Sequence, residues 1–552
     1  MFTYRLLHYS VLLATASLLT LPNLGTHSLS DVDEGVNAEA AREMMEAGTW
    51  ITPLFNFELR TAKPVLLYWL QIASYSMFGV NEFAARFPSA IAAIGCILLV
   101  YELARKMFNY RTGLLAGIVL ASSFEFCMIA HAATPDSVLL FFTVLTFYSF
   151  WIGSRNGSRA WFIPTGVAAG FAVLTKGHIG LFVPEAVIVV YFLWNCELRR
   201  LLDWRIIWGF TAFVLVAAPW YVVVTLESRG AWIKQFIGTE NIGRFLTPME
   251  QHSGPFYYHF VGITILSAPW SMFLLPAVWF TVKESRRTVV AEEERTVETR
   301  QAGRFLICWL MTYLIFFSFA ATKLPNYVIA SYSPLAIITA RLLERWRSGS
   351  LAVPKWVMPV GLSVLAGIGV FTIVGLAVAG GAVTIPIGKI QVFPRLARWA
   401  WLGIIPLAGA LTGSYFLWKR HKDLFLTAVA VTSVAFIGLL AAYPVDALDE
   451  FTAPKQLVNN ADLRQPDRDI RIASLLWFQP SVVFYSRREV EKLETWEQAA
   501  DYLATKQSAY LLVPEWVWNK MQIEHPKEFV YRTIAKQWDF QKQCDVIVVT
   551  NQ

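Results

Sequence analysis

Six short runs in this 552-residue chain carry side chains suited to acid–base or anion chemistry. They are Asp31-Val32-Asp33-Glu34, Lys63-Pro64, Thr134-Pro135-Asp136, Thr175-Lys176-Gly177-His178, Glu240-Asn241-Ile242-Gly243-Arg244-Phe245 and Thr322-Lys323-Leu324-Pro325-Asn326-Tyr327. A carboxylate beside a reacting hydroxyl acts as a general base or orients the nucleophile. A Lys ammonium is a compact phosphate binder, and an Arg guanidinium clamps a phosphate with two parallel N–H bonds. These residue types suit a site that holds a phosphate and manages a proton.

Each run also has a purely structural reading. Asp33 before Glu34 and Ala38-Glu39-Ala40-Ala41-Arg42-Glu43-Met44-Met45 is a good helix start, where acids favour the dipole. Lys63, ahead of Val65-Leu66-Leu67-Tyr68-Trp69, could reach to lipid headgroups from an interfacial stretch. Asp136 opens an apolar segment as an N-terminal acid, and Lys176 and Lys323 could anchor an interface. His178 has an ordinary structural reading. Arg244 could pair with Glu240 four residues earlier on a helix. What favours the functional reading is the company the six runs keep.

The elements that must position them are membrane helices. Hydrophobic residues make up 56% of the chain and charged residues only 16%, with a mean hydropathy of +0.46, whereas soluble domains carry about a quarter charged residues. The 22 Trp suit bilayer interfaces. A span takes roughly 20 apolar residues, and thirteen stretches qualify: 6–23, 88–107, 112–130, 137–153, 160–175, 178–196, 206–226, 257–282, 304–320, 326–342, 354–380, 397–417 and 423–443. The first lacks a small-x-small cleavage site and reads as a retained helix. The five Cys form no framework, because Cys96, Cys127, Cys196 and Cys308 lie in apolar segments and Cys544 in the polar tail. The net charge of +7 does not imply nucleic acid, since in such a chain the placement of Lys and Arg among loops is what matters.

That placement assigns sidedness. Arg105-Lys106 with Arg111, Arg155 with Arg159, Arg199-Arg200 with Arg205, Lys283 with Arg286-Arg287, Arg341 with Arg345 and Arg347, and Lys419-Arg420 with Lys422 fall in alternate loops, which are expected to be cytoplasmic. The loop 283–304 reads as a solvated charge run. The six runs then face outward together. The first outward loop is 24–87, and the domain boundary is expected at 443/444, with the tail outside. A transporter would place ionisable groups near the bilayer midplane; here Glu125 and Glu185 are the main charges in span centres. The pattern suits an enzyme at the outer interface.

These residues resemble a known family. Asp33-Glu34 with Ala38-Glu39-Ala40-Ala41-Arg42-Glu43-Met44, Lys63-Pro64 with Tyr68-Trp69, Gly79-Val80-Asn81-Glu82-Phe83-Ala84-Ala85-Arg86-Phe87-Pro88, Ala133-Thr134-Pro135-Asp136, Thr175-Lys176-Gly177, Arg244-Phe245 and Thr322-Lys323-Leu324-Pro325-Asn326-Tyr327 look like the bacterial aminoarabinose lipid A transferases. Those are GT-C glycosyltransferases akin to protein O-mannosyltransferases. The resemblance implies a polytopic helical GT-C fold, with two interfacial helices in the first outward loop. It also implies a polyprenyl-phosphate-sugar donor, usually undecaprenyl phosphate in bacteria, and inverting transfer to lipid A, another glycan or a protein at the outer face of the inner membrane. By position, Asp33 would be the principal catalytic acid and Asp136 the second. Lys63 and Arg244 would bind phosphate, and Tyr68, Glu34, Lys176, Lys323 and Tyr327 would complete the substrate site, with Asp31 and Glu34 also serving as helix-start acids.

One departure concerns metal. In the aminoarabinose transferases a Glu commonly precedes Lys-Pro and a His follows the Glu of the later loop, and these are associated with zinc. Here Ala62 and Asn241 occupy those positions, and neither is a good zinc ligand. No zinc is expected there, while a divalent cation such as Mg or Mn stays open. The tail from 444 turns polar, and runs at 470–473, 509–513 and 545–549 alternate with helical patterns at 494–505 and 514–522, which predicts a small α/β domain. Two other classes fit part of the pattern. A lipid-linked sugar flippase would need the phosphate cations but not Asp33, and an envelope assembly subunit would need neither.

Overall fold

The computed structural model describes residues 2–156, 161–248, 252–286, 294–383, 392–465, 469–525 and 531–552. Arg159 and Arg287, two of the cytoplasmic cations expected above, lie outside those residues. The chain divides into two units. The first comprises Met1–Pro22, Thr61–Leu66 and Phe87–Pro444, and the second Asn23–Arg60, Leu67–Arg86 and Val445–Gln552.

The first unit is helical because lipid offers backbone groups no partners, so each apolar run must satisfy its own. Among the described residues, seven helices are long and apolar enough to cross a membrane: Glu82–Met107, Asp136–Arg155, Ile206–Glu227, Val297–Phe319, Val357–Ala379, Pro394–Trp418 and Lys422–Asp449. Two bent pairs raise the count to nine if each is one span: Tyr110–Ala121 with Phe124–Ala130, bent by 67°, and Tyr258–Leu266 with Ser271–Ser285, bent by 119°. Phe162–Lys176 and Ile179–Trp194 are apolar but shorter; 15 residues rise only about 22 Å, against a hydrocarbon core of about 30 Å. All thirteen predicted stretches contain helix.

Small residues let these helices approach closely. A Cβ on Gly166 would strike the backbone of Gly209, so Phe162–Lys176 and Ile206–Glu227 meet backbone to backbone. Large aromatics fill the interior, with Phe147, Phe305 and Trp309 buried together and the Phe147 and Trp309 rings 4.3 Å apart.

The second unit gathers Asn23–Arg60, Leu67–Arg86 and the tail. Helix Asp33–Glu46 is buried without interruption from Glu34 to Met44 although three of those residues are Glu39, Arg42 and Glu43. Its polar side chains are satisfied in place: Arg42 donates to Glu39 and Glu46, and Glu43 accepts the backbone N–H groups of Asn56 and Phe57 at 2.7 and 3.0 Å. Those two residues, at φ 53° and 63°, form the turn between strands β1 (Leu54–Phe55) and β2 (Glu58–Leu59).

The tail builds a five-stranded sheet from β3 (Ile470–Leu475), β4 (Val490–Leu493), β5 (Ser508–Pro514), β6 (Arg532–Asp539) and β7 (Cys544–Thr550), in the order β4-β3-β5-β7-β6. β3 runs parallel to β4 and β5, and β7 is antiparallel to β5 and β6. Helices Trp496–Leu503 and Glu515–Glu524 match the predicted patterns. Asp31 accepts the N–H of Ser481 at 2.7 Å and also its hydroxyl, and Asn56 exchanges two hydrogen bonds with the backbone of Val490. A Cβ on Gly35 would collide with Ser481, so the loop helix lies directly on helix Pro480–Ser486.

Candidate active site

Within the first unit a cavity of about 480 Å³ is lined by residues from four of the six runs. Lys63 and Ala62 come from the Lys-Pro stretch, and Lys176 and His178 from the turn between two short helices. Glu240, Asn241 and Arg244 come from a segment whose π-helical turn, Phe236–Gly243, leads straight into Arg244–Leu246. Asn326 and Tyr327 open the 3₁₀ segment Pro325–Ser331. Among the described residues that line it are three cations, Lys63, Lys176 and Arg244, and one carboxylate, Glu240. The rest of the wall is apolar and aromatic, including Leu140, Phe182, Tyr313, Phe316 and Phe317.

The turn that presents Lys176 depends on glycine. Gly177 has φ +78° and ψ −154°, and a Cβ there would stand 2.5 Å from the Phe236 ring. Only glycine adopts such a conformation at little cost, so the ring can seal against the turn while the chain reverses.

Asp136 stands behind the cavity wall, 2% exposed, at the start of helix Asp136–Asn156. Its Oδ1 accepts Lys176 Nζ at 2.6 Å and its Oδ2 accepts Asn326 Nδ2 at 3.0 Å, while Lys63 adds a further positive charge. Lys176 Nζ also lies 5.4 Å from the Tyr327 ring, within cation–π range. One buried carboxylate thus ties three of the runs together and fixes the ammonium that faces the cavity. Arg244 Nε pairs with Glu240 Oε2 at 3.1 Å, so the i,i+4 pairing and a place at the cavity hold at once. Arg244, Phe245 and His252 are pinned beside Ala321-Thr322-Lys323 by backbone bonds from Ala321 to Phe245, Thr322 to Arg244 and Lys323 to His252.

Other predicted residues are placed differently. Lys323 is buried, and its Nζ donates to the carbonyls of Ser318 and Ala320, both at 2.8 Å; desolvation also lowers its pKa. It closes the end of a span rather than lining the cavity.

Asp33, Glu34 and Tyr68 belong to the second unit. Glu34, expected to bind substrate, is buried, and its two oxygens accept Arg86 Nε and Nη2, each at 2.8 Å, with Ser30 N–H on Oε2. Arg86 also donates to the carbonyls of Leu24, His27 and Ser28, so the pair is the internal frame of the loop. Tyr68 is fully buried and its hydroxyl accepts Arg60 Nε at 2.7 Å. Asp33, by contrast, is exposed at the first residue of its helix, where no side-chain cap bond forms. Asp33 lies one residue past the N-cap, Val32, so it serves the helix start as a first-turn acid favoured by the dipole rather than as the cap itself.

Asn326 is the residue that sequence reasoning passed over. It sits between Pro325 and Tyr327 in the Thr322–Tyr327 run, but its amide carries no charge that marks it by residue type. Its role as the second clamp on Asp136 needs the fold to be seen. For zinc the donor set does not fit: Ala62 has no donor atom, and Asn241 spends its amide on the carbonyl of Phe236. Among the described residues no group of three or more His, Cys, Asp or Glu side chains is disposed to hold a metal ion.

Residues 6–234 match the model of the dolichyl-phosphate-mannose-protein mannosyltransferase family. An undecaprenyl phosphate-alpha-4-amino-4-deoxy-L-arabinose arabinosyl transferase of Erwinia tasmaniensis is 30% identical over 326 residues, covering 57% of this chain and just over half, 56%, of that protein. A second transferase of that name, from Proteus mirabilis, is 27% identical over 469 residues, covering 82% and 81%. In fold the chain is similar to the crystal structure of ArnT from Cupriavidus metallidurans bound to undecaprenyl phosphate, with a TM-score of 0.79 at 19% identity, over 100% of this chain and 98% of that one. The chain is thus similar to the protein mannosyltransferases over residues 6–234, to the aminoarabinose arabinosyl transferases over longer stretches of sequence, and to ArnT in fold.

Proposed function

We propose that the protein is an inverting glycosyltransferase that moves a sugar from a polyprenyl phosphate, undecaprenyl phosphate in bacteria, to lipid A or another envelope acceptor. In this reading the reaction runs at the periplasmic face of the inner membrane, the side assigned by the loop charges. The observation that carries it is the cavity itself. Three cations share one space with an aromatic, apolar wall, and that pairing is what a lipid phosphate asks of a protein.

The acceptor oxygen attacks the anomeric carbon in line, the bond from that carbon to the phosphate oxygen breaks, and polyprenyl phosphate leaves with the bonding electrons. Charge grows on the leaving oxygen, so fixed cations at that point lower the barrier most. Lys63 and Arg244 take that role, and Lys176 is held for it by Asp136. Asp33 accepts the proton of a hydroxyl acceptor. With a phosphate acceptor no proton need move, and Asp33 instead orients the nucleophile.

The test uses the purified full chain with labelled polyprenyl-phosphate sugar, with and without lipid A. Label transferred to an acceptor is expected. Full transfer by an Asp33→Asn variant would remove Asp33 from the chemistry. Label that crosses a vesicle membrane with its phosphate linkage intact would identify a flippase.

A further inference from the structure

Helix Tyr332–Ser348 begins beside the cavity, whose wall includes Ile329 and Ala330, and ends at a second, separate pocket lined by Trp346. Seventeen residues at 1.5 Å each separate the two by about 25 Å, most of the bilayer's hydrocarbon thickness of about 30 Å. The second pocket, about 330 Å³, therefore serves the opposite membrane face from the candidate active site.

Its chemistry is one-sided. Lys355, Arg420 and Lys422 line it, and among the described residues no carboxylate does. The nearest acids in sequence, Glu344 and Asp423, are both held by Arg347, at 2.7 and 3.0 Å. Lys422 Nζ is fixed by the carbonyl of Trp346 at 2.8 Å and lies 5.2 Å from its ring, while Lys355 and Arg420 stand exposed at the rim. The remaining wall is Val353, Pro354, Met358, Pro359, Phe416 and Leu417. Depth is marked independently: Trp356 and Trp418, at the ends of the helices that form the pocket, are 61% and 74% exposed, which is the placement of tryptophans at the level of lipid headgroups. Directly beyond them, helix Val357–Ala379 presents exposed Val360 and Val364, a surface for acyl chains.

We infer that this pocket binds the phosphodiester headgroup of an anionic glycerophospholipid, with its acyl chains lying along helix Val357–Ala379. Basic pockets between membrane helices have this use. The inference does not depend on the proposed transfer reaction, since the pocket lies at the other membrane face.

The experiment is native mass spectrometry of the full-length protein with phosphatidylglycerol or phosphatidylcholine added separately. Wild type is expected to retain phosphatidylglycerol selectively. Each basic side chain near an anionic lipid contributes roughly fivefold, so Lys355→Gln with Arg420→Gln should lower that affinity about 30-fold, while Lys422 and its contact to Trp346 are kept. Removing the same charge elsewhere, by Lys106→Gln with Arg199→Gln, should change little. Equal retention of the two lipids by wild type, or equal retention of phosphatidylglycerol by wild type and the Lys355/Arg420 variant, would overturn the inference. So would displacement of the lipid by inorganic phosphate at equal concentration, which would mark a plain anion site.

Discussion

Lys176 Nζ and Asp136 Oδ1 stand 2.6 Å apart at the wall of the candidate active site, one carried by the end of a short helix and the other by the start of a long one. Removing one member of a buried pair strands the other and costs about 3–5 kcal/mol. Asp136→Asn and Lys176→Met should each lower the melting temperature in detergent, and the double variant should lose less than the sum. Additive losses would mean that the pair is not coupled.

Lys63 and Arg244 are predicted to act on the leaving phosphate rather than on the fold. Lys63→Met should reduce sugar transfer about 10²-fold or more, the usual effect of deleting one donor to a developing anion, with little change in melting temperature. Arg244→Lys keeps the charge and loses the fork. A hydrogen bond to a charged group is worth about 1.5–3 kcal/mol, so KM for the lipid-linked sugar should rise roughly tenfold or more. Both are read in one transfer assay.

The second unit should lose stability as pH rises. Burial pushes the Asp31 carboxyl up to about 7 despite the two hydrogen bonds from Ser481, with Asp539 and Glu34 adding repulsion. Burial, then Glu39, pushes Glu43 up to about 8. A carboxyl whose folded pKa lies above its unfolded value favours the folded state fully only below the unfolded value, near 4, and that contribution is lost as pH rises through the folded value. Melting followed from pH 5 to pH 8.5 should therefore show a falling midpoint, and Asp31→Asn with Glu43→Gln should flatten the curve. A midpoint that rises over this range would contradict the assignment.

Gly177→Ala tests the glycine turn. The positive φ and the 2.5 Å approach to Phe236 act together, so destabilisation should exceed the roughly 1 kcal/mol of an ordinary glycine replacement. Adding Phe236→Ala should recover only the steric part, which a melting comparison of single and double variants would resolve.

How far the sequence can be read depended on where the driving force lay. Thirteen apolar stretches all contain helix because hydropathy is a local property. In the tail, β3, β5 and β7 were legible, whereas β4 and β6 were not. The two unread strands are the sheet's edges, and Val490-Glu491-Lys492-Leu493 and Arg532–Asp539 carry the polar and charged side chains by which exposed edges avoid further pairing. At the site, residue type marked Lys63, Lys176, Arg244 and Tyr327 as neighbours. Type could not reveal that Glu34 is consumed by Arg86, Tyr68 by Arg60 and Lys323 by two carbonyls, because each partner is set by tertiary packing. The same limit hid the pairing of Asp31 with Ser481.

That last pairing sets an order of events during synthesis. Asp31 and Ser481 are 450 residues apart, which at about 5–20 residues per second means a wait of roughly 20 to 90 seconds. Throughout it, the helix that begins at Asp33 has no helix Pro480–Ser486 to lie against, and Glu39, Arg42 and Glu43 have only local partners. A ribosome that stops early leaves the membrane helices complete and this loop without its support. The protein's acid-bearing loop is thus completed by the last fifth of the chain, so an unfinished molecule is kept from presenting Asp33 in its finished setting.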